Sequence, residues 1–113
     1  MSKQILLPPS RRSTARVNVP EGVWVCWRCN TRGDTSRVRD LSLGGLFIET
    51  RTPEAVGSTV KLDFLVQEGQ IRAEATVQRA EPGKGLGLKF TAVNNDDRSH
   101  LAGLLNRLRN LPR

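Results

Sequence analysis

Aromatic residues are few in this chain and tyrosine is absent: Trp24, Trp27, Phe47, Phe64 and Phe90 are the whole set. That scarcity argues against an extended stacking platform for single-stranded nucleic acid, where successive bases lie on aromatic faces. Lysine is sparse too. Of the eighteen cations only four are lysine and fourteen are arginine, against eleven acids and a net charge of +7. Arginine offers a planar fork that matches phosphate and guanine edges, whereas lysine is a point charge. An anionic partner is therefore expected. No apolar run is long enough for a transmembrane helix, and Ile5-Leu6-Leu7 is too short for a signal-peptide core, so a cytoplasmic location is expected. In that reducing compartment the two cysteines are expected to be free thiols.

The 113 residues suffice for one domain with one core. Period-two alternation dominates from Val17 onward. Val23, Val25 and Trp27 alternate with Trp24, Cys26 and Arg28; Val60, Leu62 and Phe64 with Lys61 and Asp63. Ile71, Ala73, Ala75 and Val77, and then Leu86, Leu88 and Phe90, continue the pattern. Such alternation marks strands with one face on a core and one in water. Turn signals separate them at Thr31-Arg32-Gly33-Asp34, Gly44-Gly45, Glu68-Gly69 and Pro82-Gly83-Lys84-Gly85. Six or seven short antiparallel strands must hide their edges, which predicts a mainly β fold closed into a small barrel. Leu101, Leu104, Leu105 and Leu108 then follow a helical stripe, with Asn94 or Asn95 as caps, and predict a C-terminal α-helix packed on the barrel. The expected organisation is an arginine-bearing loop over residues 1–16, a β-barrel over 17–93 and the helix over 94–113.

Two segments carry candidate binding chemistry. One is Arg11-Arg12-Ser13-Thr14-Ala15-Arg16, with arginines four apart at Arg12 and Arg16; the other is Asp40-Leu41-Ser42-Leu43-Gly44-Gly45, an Asp-x-Ser-x-x-Gly spacing that leads into Leu46-Phe47-Ile48. Either alone is ordinary. Asp40 and Ser42 could serve only the hydrogen bonds of a turn, and Gly45 only a positive φ.

Taken in order, with strands between and after them, the two segments resemble the PilZ domain family, which binds cyclic di-GMP. The stretch Val38-Arg39-Asp40-Leu41-Ser42-Leu43-Gly44-Gly45-Leu46-Phe47-Ile48 is the most similar, and Gly85-Leu86-Gly87-Leu88-Lys89-Phe90 matches a later strand. The resemblance implies a split-barrel fold and a non-enzymatic cyclic di-GMP receptor. It implies that Arg12 and Arg16 grip guanine and phosphate, that Asp40 and Ser42 reach a guanine edge and nearby polar groups, and that Gly44 and Gly45 let the backbone approach the ligand. Arg11, just before the arginine pair, implies two stacked ligand molecules per domain. Signalling would pass by loop closure to an unidentified downstream protein, with the receptor a monomer or homodimer.

Other classes fit less well. A basic β-barrel binding nucleic acid is allowed by charge but opposed by the few aromatics. A nucleotide-free PilZ-like module acting only through protein contacts is opposed by the intact signature. Cys26-Trp27-Arg28-Cys29 has a C-x-x-C spacing, but on a strand its thiols point to opposite faces and His100 is the one histidine, so no metal site is expected. His100 is expected on the helix surface, with no nucleophile or carboxylate placed beside it by a motif, so no enzyme activity is expected.

Overall fold

In the computed structural model, residues 17–19 and 22–110 are described. Seven strands follow the alternation: β1 (Val17–Asn18), β2 (Trp24–Cys29), β3 (Arg32–Leu41), β4 (Gly45–Glu49), β5 (Thr59–Leu65), β6 (Ile71–Glu81) and β7 (Gly85–Val93). All pairings are antiparallel, in the order β1-β3-β2-β5-β6-β7-β4, and a further β3–β4 pairing closes six of the strands into a barrel. Closure leaves no long open edge within that set. β1 is the extra strand; it takes up the side of β3 that β2 leaves, pairing Asn18 with Asp40 and Val17 with Leu41.

The period-two positions fill the interior. Val25, Trp27, Val60, Leu62, Phe64, Ile71, Ala75, Val77, Leu86 and Leu88 are buried in one core. On β2, Trp27 points inward and donates its indole N–H to Ser36 Oγ at 2.9 Å, while Trp24 is 44% exposed on the outer face. Cys26 faces outward toward Thr35, and Cys29 inward. Burial raises the Cys29 thiol pKa, and the neighbouring Glu54 carboxylate adds to the effect. The β2–β3 turn falls two residues earlier than its glycine suggests: Arg32, Gly33 and Asp34 already belong to β3, and Asn30, at φ 57°, makes the bend. Asparagine tolerates that left-handed conformation, which suits a two-residue hairpin.

The chain leaves β7 through a 3₁₀ turn, Asn95–Asp97, into α1 (Arg98–Arg109). Asn94 caps that turn, its side chain accepting the Asp96 N–H at 3.0 Å. Leu101, Leu104, Leu105 and Leu108 are all buried in the barrel's core, which fixes α1 to its own barrel. Polar contacts add to the docking. Asp97 accepts hydrogen bonds from the Arg72 N–H and guanidinium, His100 Nδ1–H donates to the Gln70 carbonyl at 2.8 Å, and Arg107 engages both oxygens of Glu68. His100 is therefore half-buried against the β5–β6 hairpin, closer in than a surface position.

Candidate functional site

Strict alternation along β3 would send Val38 inward, Arg39 outward, Asp40 inward and Leu41 outward. Val38 and Leu41 are both fully buried, and the register against β4 shifts between Val38 and Asp40. A β-bulge absorbs the mismatch, leaving Arg39 and Asp40 together on the outer surface; bulges re-aim side chains in this way. The apolar spacing of three between Val38 and Leu41 was the signal for it in the sequence.

Asp40 is thus presented on the barrel's outside, next to the short β1. Its carboxylate lies 3.7 Å from Arg39 Nε, with 14% of its side chain exposed. Because β1 pairs with Asp40 and Leu41, the segment preceding Val17 joins the fold at this corner. Arg11, Arg12 and Arg16 themselves lie outside the described residues.

Ser42 plays an inward part. It is 3% exposed; its hydroxyl accepts the N–H groups of Gly44 at 3.1 Å and Gly45 at 3.2 Å and faces the Gly45 carbonyl at 3.4 Å. Its backbone N–H donates to Gly45 O at 2.8 Å, and Gly44 O accepts from Phe90 N–H. The hydroxyl's capacity is largely used in building the turn. Leu43, at the tip, is half exposed. Gly45 does not have a positive φ, and packing by itself requires a glycine there. A Cβ there would stand 2.1 Å from the Leu88 carbonyl oxygen, so only glycine lets β4 start this close to β7.

Across the same face runs a row that spacing did not single out. Phe47, paired with Asp40 on one side and Gly87 on the other, points outward yet is fully buried. The Arg39 guanidinium covers its ring at 3.7 Å from the centroid, and Arg79 stands at 5.6 Å. Arg79 is held in turn by Glu81 at 3.0 Å. Gly85 on β7 makes room for the ring edge, since a Cβ there would meet Phe47 at 2.6 Å. Stacking on an aromatic face suits a guanidinium and limits its orientations. Beyond Arg39 opens a recess of about 500 Å³ lined by Arg39, Glu49, Thr50, Arg51, Gly83 and Lys84. A larger recess of about 670 Å³ lies on the β2–β5–β6 face and shares no residue with the Asp40 turn. Among the described residues no cluster of metal-ligating side chains occurs, and no helix is long and apolar enough to cross a membrane.

Comparison with known proteins accords with this architecture. The family model described as PilZ domain matches residues 10–107. The PilZ domain of CeSA from a cellulose-synthesizing bacterium superposes with a TM-score of 0.67 at 19% identity, covering 85% of this chain and 99% of that one. The PilZ domain of YcgR from Escherichia coli, solved with c-di-GMP, gives 0.67 at 20% identity, covering 88% and 92%. MotI/DgrA, the inhibitor of motility of Bacillus subtilis, gives 0.70 at 19% identity, over 91% of this chain but 53% of its own. At these identities the likeness is one of fold. No curated protein matches in sequence.

Proposed function

Since the chain belongs to the PilZ domain family, we propose that it is a non-enzymatic receptor for cyclic di-GMP that binds at the corner where β1, the β3 bulge and the Ser42–Gly45 turn meet. The observation that carries this reading is the bulge. It turns Asp40 outward beside β1, so the acidic half of the signature lies where the arginine-bearing segment enters the fold. The YcgR domain of the same fold, solved with c-di-GMP, supports the choice of ligand.

The chemistry follows from the groups. Guanine O6 and N7 form a paired acceptor that an arginine fork satisfies with two parallel hydrogen bonds, the part given to Arg12 and Arg16. The N1–H and N2–H edge of guanine donates, and the Asp40 carboxylate accepts. Ser42 acts on the ligand through the turn it builds, holding Gly44 and Gly45 in place beside Asp40. Arg11 supplies a further guanidinium for a second, stacked ligand, giving two per domain. Residues 1–16 act as the switch: closing over the ligand changes the surface that a downstream protein reads. Ordering such a loop costs about 1–2 kcal/mol per residue, offset by charge-assisted hydrogen bonds of about 1.5–3 kcal/mol each.

Calorimetric titration with cyclic di-GMP, GTP and cyclic di-AMP tests the reading. The wild type should bind cyclic di-GMP alone, with two ligands per chain, and Arg12→Ala and Asp40→Ala should each weaken binding by about tenfold to a hundredfold. Absence of binding by the wild type would remove the function, and unaltered binding by both variants would remove the site.

A further inference from the structure

Three cations from separate parts of the chain converge on the 500 Å³ recess beside Asp40. Arg39 comes from the β3 bulge, Arg51 from the segment after β4, and Lys84 from the β6–β7 turn. Like charges gathered this way repel; Arg39 has the Asp40 carboxylate beside it at 3.7 Å, and the recess itself is lined by one acid. That acid is Glu49, whose carboxylate is already engaged by Arg37 at 3.1 Å. Among the described residues neither the Arg51 nor the Lys84 side chain has a hydrogen-bonding or ionic partner, in a fold where Arg32, Arg72, Arg79 and Arg107 are each paired with a carboxylate.

The recess is also held in shape. The Thr50 N–H donates to the Lys84 carbonyl at 3.3 Å, joining the two loops that carry Arg51 and Lys84. The Arg39 guanidinium rests over the Phe47 ring, 3.7 Å from its centroid, and the ring edge is packed against Gly85. One arginine therefore belongs both to the bulge that presents Asp40 and to the recess. Orienting a cation in advance reduces what is lost on binding an anion.

We propose that this recess is a phosphate subsite, in which Arg39, Arg51 and Lys84 receive a phosphodiester of the nucleotide whose guanine is read at Asp40. Phe47 is a positioning residue that aims Arg39. The inference rests on the cyclic di-GMP reading and extends the binding surface along the row from β3 to the β6–β7 turn.

The test titrates cyclic di-GMP into the wild type, the double variant Arg51→Gln/Lys84→Gln and a charge-matched control, Arg28→Gln/Lys61→Gln, on the β2–β5 face. Thermal melting of all three verifies folding. The recess variant should bind about tenfold more weakly, with a shallower dependence of log Kd on log salt, while the control should change by less than about twofold. Equal weakening of both variants would reduce the recess to a share in long-range attraction and overturn the inference. So would unchanged binding by the recess variant while the wild type still binds, which leaves the receptor function standing. Absence of binding by the wild type would overturn both.

Discussion

Gly45 and Ser42 are neighbours in the same turn, and each tolerates substitution differently. Adding a Cβ at Gly45 would drive it into the Leu88 carbonyl at 2.1 Å, a backbone atom in a paired strand that cannot rotate aside. Gly45→Ala should therefore force β4 away from β7 and lower stability by about 3 kcal/mol or more in chemical denaturation. Ser42→Ala removes the acceptor for two backbone N–H groups, that of Gly45 buried, and should cost about 1–3 kcal/mol. A loss within about 0.5 kcal/mol at either position would contradict these roles. The Asp-x-Ser-x-x-Gly spacing was legible in the sequence, but the reason for its glycine was not. The contact that requires it depends on which distant strand lies beside β4, and local spacing carries no record of that. The part played by Phe47 was hidden for a similar reason: nothing local to Leu46-Phe47-Ile48 shows that arginines from β3 and β6 stand over its ring.

The leucine stripe of α1 was readable because a 3.6-residue period survives any tertiary context. Its polar attachments were not, since Arg72, Gln70 and Glu68 come from the β5–β6 hairpin. Asp97 shows how such context redirects a residue. It occupies the N-cap position of α1 yet makes no capping bond, because its carboxylate is turned to Arg72. Hydrogen bonding to Arg72 holds the Asp97 carboxyl below its usual pKa, and Arg107 does the same for Glu68. Both groups bind protons less readily folded than unfolded. Their stabilisation is thus complete above the ordinary carboxylate range and is lost as pH falls through the depressed folded values. Asp97→Asn should melt lower than the wild type at neutral pH, with the gap closing as pH drops below that range. A gap independent of pH would show that the ion pair contributes nothing to helix docking.

At the scale of the whole molecule, alternation predicted a closed antiparallel barrel with a C-terminal helix, and the structure has that form. What alternation left unspecified was the order of strands and the register shifts in β3 and between β6 and β7, where strict periodicity breaks. Those breaks are informative. The one in β3 turns Asp40 outward, so the candidate site lies where the sequence departs from the pattern that builds the barrel. The barrel wall also separates the two tryptophans of β2, with Trp27 at 3% exposure inside and Trp24 at 44% outside. With no tyrosine in the chain, emission comes from these two indoles in unlike surroundings. Trp27 should emit at shorter wavelength and resist iodide, while Trp24 should emit further to the red and be quenched, giving a downward-curving Stern–Volmer plot. Trp24→Phe should leave the shielded, blue component alone, and unfolding should merge the two populations into one. The protein therefore carries its own optical record of whether the barrel is closed.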